Sequence, residues 1–142
     1  MMTTTTQQRP YSRALERLKD AGLRPTRQRL ALAKLLFEGP DRHITAETLH
    51  TEASSAKVRV SLATVYNTLH QFTSCGLLRE VVVEAGRCYF DTNTSDHHHF
   101  FFVDSAELKD ISGEAVAFTR LPAAPDGHAV QRVDVIIRVN RD

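Results

Sequence analysis

Three features of the chain predict an α+β fold: four amphipathic segments before residue 76, a strand–turn–strand signature at 77–90, and β-prone runs at 99–103 and 129–139. In the first segment, Tyr11 to Ala21, Arg, Lys and Glu alternate with Ala14, Leu15 and Leu18, as in an amphipathic helix, and Gly22 stops it. Arg24-Pro25-Thr26 restarts the chain. Leu30, Leu32, Leu35 and Leu36 then make Arg27 to Phe37 a second helix, ended by Gly39-Pro40. Ile44-Thr45 opens a short third helix, with Thr45 as N-cap, Glu47 in the favourable first turn and Leu49 as the main buried residue. Ser61 caps the fourth. There Leu62, Val65, Leu69 and Phe72 recur at helical steps to form an apolar stripe, and Gly76 takes the position just past the helix end.

Leu77 to Val83 reads as a strand, Glu84-Ala85-Gly86-Arg87 as a turn, and Cys88-Tyr89-Phe90 as the returning strand. Four helices and then a hairpin is the order of a winged helix-turn-helix with one extra leading helix. Helices three and four are the helix-turn-helix pair, and Arg87 at the wing tip suits a phosphate contact and an ordinary polar hairpin tip equally well. The polar stretch from Asp91 to Asp96 reads as a hinge. After it, the run from His99 to Val103 predicts a strand, Ala106 to Ile111 a turn and short strand, and Gly113 to Leu121 a short helix. The alternation of Val130, Val133, Val135, Ile137 and Val139 predicts a long strand over Ala129 to Val139. This second part is too small to hold a core alone, so a small α/β dimerisation domain that pairs with a second copy is expected. The expected divisions are an arm at 1–9, a DNA-binding domain at 10–91, a hinge at 92–96 and a dimerisation and sensing domain at 97–142.

The net charge of +1 conceals an asymmetry. Residues 1–60 carry eleven Lys and Arg against six Asp and Glu, a balance of +5, which leaves −4 for the remainder. A basic first half suits a polyanionic partner. The start, Met1 to Gln8, has no basic residue followed by an apolar run, and no apolar stretch approaches the ~20 residues that span a bilayer, so a cytoplasmic protein without a membrane partner is expected. Cys75 and Cys88 are the two cysteines, and no C-x-x-C is present. Free thiols are expected, and a structural zinc held by four cysteines is not.

The side of the fourth helix opposite its apolar stripe bears Thr64, Tyr66, Asn67, His70, Gln71 and Thr73. These groups hydrogen-bond and almost none is charged, whereas a merely solvated face favours Lys and Glu. The pattern suits a helix that reads base edges in a major groove. The sharpest chemical signal is Asp96-His97-His98-His99. In an extended strand His97 and His99 share one face, while Asp96 and His98 take the other. Two imidazoles at i and i+2 can share an ion of zinc, iron, manganese or nickel. Further ligands must come from elsewhere, and His43 and Asp91 are the candidates. An ion held by His43, Asp91, His97 and His99 would join the two domains and tie occupancy to DNA-binding geometry. No H-E-x-x-H, G-x-S-x-G, P-loop or G-x-G-x-x-G is present, so an enzyme is not expected.

The stretches Gly22 to Arg29, His43 to Leu49, Ser61 to Leu69 and Asp96 to His99 together resemble the ferric uptake regulator family, and Ser61-Leu62-Ala63-Thr64-Val65-Tyr66 is the most specific of them. The resemblance implies a dimeric, metal-responsive regulator that contacts operator DNA through Arg29 and Tyr66. Arg24, Ser61, Thr64 and Asn67 complete the candidate DNA contacts. It also implies the metal set His43, Asp91, His97 and His99, with Asp91 in place of the family's usual glutamate. There are departures. Phe102 and Ser105 stand where most members carry C-x-x-C. Asn67 replaces an arginine. A second metal site at Asp96 and His98 lacks partners, since Ala117 and Arg132 fall near the expected positions. These departures and the triple histidine are similar to the haem-sensing iron response regulator branch, which implies haem on His97, His98 and His99 as an effector. A conventional manganese- or zinc-activated repressor of the same family is the alternative.

Overall fold

The computed structural model describes residues 12–84 and 86–142. The expected arm at 1–9, the helix start at Tyr11 and Ala85 of the hairpin turn lie outside the described residues. The chain divides into two units, Met1–Thr94 and Ser95–Asp142.

In the first unit, helices α1 (Ser12–Asp20) and α2 (Arg27–Phe37) precede a two-residue strand β1 (His43–Ile44), helices α3 (Ala46–Ser55) and α4 (Leu62–Ser74), and a hairpin of β2 (Arg79–Glu84) and β3 (Arg87–Asp91). The helix starts are set locally. The hydroxyls of Thr26, Thr45 and Ser61 accept from the backbone N–H of Arg29, Thr48 and Thr64, satisfying amides that would otherwise lack partners. Gly76, at φ +86°, supplies the left-handed residue that ends α4. One continuous core holds Ala14 and Leu18 of α1, Leu32, Ala33, Leu36 and Phe37 of α2, Leu49 and Ala53 of α3, Val65, Leu69 and Phe72 of α4, and Phe90 of β3. Phe37 and Phe72 meet at a ring separation of 6.2 Å. The expected stripe of α4 needs one correction. Leu62 is 36% exposed, and buried Thr68 joins Val65, Leu69 and Phe72 on the inner face. At the first turn of the helix, Leu62 lies beyond the reach of the core.

The hairpin is part of a three-stranded antiparallel sheet ordered β1-β3-β2, in which His43 lies opposite Asp91. Strand β1 was not anticipated, because two residues carry no period and become a strand only by pairing with β3. This arrangement of α3, α4 and hairpin is consistent with a winged helix-turn-helix.

The second unit is a three-stranded mixed sheet ordered β5-β4-β6. Strand β4 (His97–Phe102) runs antiparallel to β5 (Glu107–Ser112) and parallel to β6 (Ile136–Val139). Two expectations are corrected here. The helix expected over Gly113 to Leu121 is a single 3-10 turn, Gly113–Ala115, followed by irregular chain. Val116 and Phe118 are poor helix formers, and Phe118 instead packs against His98 at 6.0 Å. The strand expected over Ala129 to Val139 is confined to Ile136–Val139: the ladder with β4 starts at His99, and the Val135 N–H bonds the His98 ring instead of the strand backbone. Gly113 is required where it stands: a Cβ there would lie 2.8 Å from the Asp96 carbonyl oxygen. Phe101 and Ile111 are the buried apolar residues of this unit, while Val103, Phe118, Leu121, Val130 and Ile137 remain exposed.

Candidate metal centre and nucleic-acid face

Donors for a metal gather in each unit. In the second, the pleat of β4 puts His97 and His99 on one face, with their rings 4.6 Å apart. Asp110 of β5 lies directly opposite His99 in the ladder. One of its oxygens sits 3.3 Å from Nε2 of His97 and 3.4 Å from Nε2 of His99. His97 Nδ1 lies 2.6 Å from the Ser95 carbonyl oxygen, to which it donates, so Nε2, which faces Asp110, is the ring nitrogen placed to ligate a metal. Ligand atoms bound at ~2.1 Å to one ion stand roughly 3 to 3.5 Å apart, so two imidazoles and a carboxylate at these separations fit a zinc, iron or manganese ion.

In the first unit, pairing of β1 with β3 brings His43 Nε2 to 3.2 Å from Asp91 Oδ2. Asp91 is buried, and its other oxygen accepts from the Asn93 N–H at 2.9 Å. The pair is braced on its α3 side. Arg42, beside His43, grips Glu52 of α3 with two hydrogen bonds of 2.9 and 2.6 Å, and its N–H donates to Thr92 Oγ1 at 2.8 Å.

Asp110 is the donor that sequence reasoning missed. Nothing local marks it. The signal lay in the β4–β5 register, which requires the turn between the strands to be placed to the residue. His98 points away from His97 and His99. Its Nδ1 accepts from the Val135 N–H at 3.1 Å. All three histidines are buried, at 5%, 7% and 1% exposure for His97, His98 and His99.

The candidate nucleic-acid residues cluster at α4 and the start of α2. Tyr66, Asn67, His70 and Gln71 are exposed, whereas Thr64 and Thr73 are half-buried. Ser61 Oγ caps α4 and donates to Thr64 Oγ1 at 2.9 Å, so these two side chains fix the helix start. Arg29 donates through Nε to Gln71 at 3.2 Å and through a terminal nitrogen to the exposed Arg24 carbonyl at 2.9 Å, which draws the Gly22–Thr26 loop towards α4. The Tyr66 hydroxyl donates to Glu47 of α3 at 2.6 Å. This bond holds the Glu47 carboxyl below its usual range and raises the Tyr66 phenol above its own. Both groups are exposed, so the link sets geometry more than it adds stability.

Cys88 is chemically quiet. Burial, then the nearby Glu80 carboxylate, pushes its thiol from about 9 up to about 12. Because the folded value is the higher one, the neutral thiol's contribution to stability is complete below about pH 9 and is lost as pH rises toward 12. Alkylation of Cys88 by iodoacetamide at pH 8, followed peptide by peptide by mass spectrometry, should be about 100-fold or more slower than that of a free cysteine. Labelling at the free-cysteine rate would show that the thiol is not shielded.

Among the described residues no helix is long and apolar enough to cross a membrane. The Ferric uptake regulator family model matches residues 20–135. The ferric uptake regulation protein of Vibrio anguillarum is 35% identical over 100 residues, covering 70% of this chain and 67% of that protein. Two solved structures share the fold. The ferric uptake regulator of Pseudomonas aeruginosa with manganese aligns at TM-score 0.69 and 24% identity, covering 90% of this chain and 97% of that one. The Vibrio cholerae ferric uptake regulator aligns at TM-score 0.67 and 25% identity, covering 89% and 98%. The family match across most of the chain, with this relative, shows that the chain belongs to the ferric uptake regulator family of metal-dependent transcription regulators and is not an enzyme.

Proposed function

We propose that this chain is an iron-responsive transcription regulator that binds operator DNA as a dimer, with its affinity set by one divalent ion shared among His43, Asp91, His97, His99 and Asp110. The observation that carries this reading is the convergence of His97, His99 and Asp110 at 3.3 and 3.4 Å within the second unit; the first unit holds a donor pair of its own, His43 and Asp91, at 3.2 Å. Bound there, an ion supplies charge that holds imidazole and carboxylate ligands in one fixed geometry. The manganese carried by the Pseudomonas structure is compatible with this ligand chemistry. His43 stands two residues before the N-cap of α3, and Arg42 is clamped to Glu52, so a pull on His43 is passed to α3. From α3 it reaches α4 through Glu47 and Tyr66. Arg24, Arg29, Tyr66 and Asn67 then contact DNA, with Ser61 and Thr64 fixing the start of the reading helix. The exposed Val103, Phe118, Leu121, Val130 and Ile137 favour pairing of the second unit with another copy.

Haem on His97, His98 and His99 is the alternative effector implied by the resemblance to the iron response regulator branch. Burial of all three rings weighs against it, since a porphyrin would require β4 to open. An operator titration run with chelator, with manganese and with stoichiometric haem separates the readings. Metal-dependent binding unaffected by haem supports the ion as effector. Binding that persists in chelator and is lost with haem would replace it.

A further inference from the structure

Tyr66 lies on the exposed face of α4, yet its hydroxyl is committed to Glu47, the second residue of α3. A phenol oxygen carries one proton and two lone pairs. With the proton donated to a carboxylate at 2.6 Å, a short charge-assisted bond, the oxygen is left able only to accept. The ring is aimed as well. It stacks on His70 at 6.4 Å and 21°, and His70 lies edge-on to buried Phe90 at 5.7 Å and 3.8 Å from Glu80. A carboxylate on a face meant for a polyanion otherwise only opposes binding. Orienting Tyr66 is the function its contact gives it.

We propose that Glu47 is a specificity-determining residue: by holding the Tyr66 proton, it makes the Tyr66 oxygen an obligate acceptor that selects a base with an exocyclic amino group. In the major groove adenine N6 and cytosine N4 donate, whereas thymine O4 and guanine O6 and N7 accept. Tyr66 therefore favours adenine or cytosine at the base it meets and rejects thymine or guanine, where two acceptors would face each other. The proposal rests on α4 being the helix that reads operator DNA. Sequence reasoning treated Glu47 only as a helix-start charge.

The test is operator binding at fixed salt and saturating manganese, measured over duplexes carrying every single base-pair substitution. The proteins compared are wild type and the Glu47→Ala, Glu47→Gln, Tyr66→Phe and Tyr66→Ala variants. Wild type should prefer adenine or cytosine at one operator position by about 2- to 10-fold, the value of one neutral hydrogen bond. Glu47→Ala should flatten or reverse that preference, because the freed hydroxyl can donate to thymine or guanine. Glu47→Gln retains an accepting oxygen and should keep it. Both variants lose the same charge, so any uniform change in affinity cancels between them. Tyr66→Phe removes only the oxygen and should erase the preference, and it decides the matter if Glu47→Ala fails to fold. An unchanged base profile in Glu47→Ala or in Tyr66→Phe overturns the proposal while leaving α4 as the reading helix, provided Tyr66→Ala weakens binding. If Tyr66→Ala leaves affinity for every duplex unchanged, the reading of α4 itself fails.

Discussion

His99→Ala is expected to weaken divalent metal binding by about 100-fold or more, since loss of a direct ligand should exceed the roughly 10- to 100-fold cost of losing an outer-shell partner. His99 is the most buried of the three histidines and sits directly across the ladder from Asp110. Asp110→Asn should also weaken binding, because it keeps the shape and removes the charge. His98→Ala provides the contrast. Its ring lies on the opposite face of β4, bonded to the Val135 N–H, so its loss should change stability and leave metal affinity within a few-fold. Competition against a chromophoric chelator measures all three, with circular dichroism as the check on folding. Equal losses for His98→Ala and His99→Ala would mean that the strand, and not a specific set of donors, had been disturbed.

Phe72→Ala should destabilise the first unit by about 3 to 5 kcal/mol, the usual cost of truncating a buried aromatic residue. Phe72 is fully buried at the centre of the helical core, against Phe37. The backbone of the same turn is also used, because the Leu77 N–H bonds the Phe72 carbonyl at 2.9 Å to close α4. Against a total stability of about 5 to 15 kcal/mol, such a loss is a large fraction. Urea unfolding should show a lower midpoint with an unchanged slope. A loss under about 1.5 kcal/mol would mean that neighbouring side chains collapse into the space, and that the core is looser than its burial implies.

The parts legible in the sequence are those governed by local rules. The 3.6-residue period of α1 and α2, the caps Thr45 and Ser61, and the glycine ending α4 are each fixed by a few neighbouring residues, so they could be placed without knowing the fold. The alternation of His97, His98 and His99 across β4 was legible for the same reason: a strand's period of two is local. Pairing was not. Strand β1 exists only because β3 lies beside it, and the expected long final strand is short because its ladder with β4 begins only at His99 and Ile136. Asp110 and Glu47 were hidden in the same way. One is brought to the histidines by a cross-strand register, and the other to Tyr66 by the packing of α3 on α4. The metal donors adjacent in sequence were visible, whereas the donor supplied by a partner strand required the sheet.

The central claim is that ligands from both units hold a single ion. The measurement that tests it most directly is calorimetric titration of the full chain with manganese, comparing wild type with His43→Ala. One tight ion per chain in wild type, with affinity in His43→Ala reduced about as much as in His99→Ala, is the predicted result. Wild-type affinity and stoichiometry in His43→Ala would show that His97, His99 and Asp110 bind the ion without the first unit, and would contradict the claim.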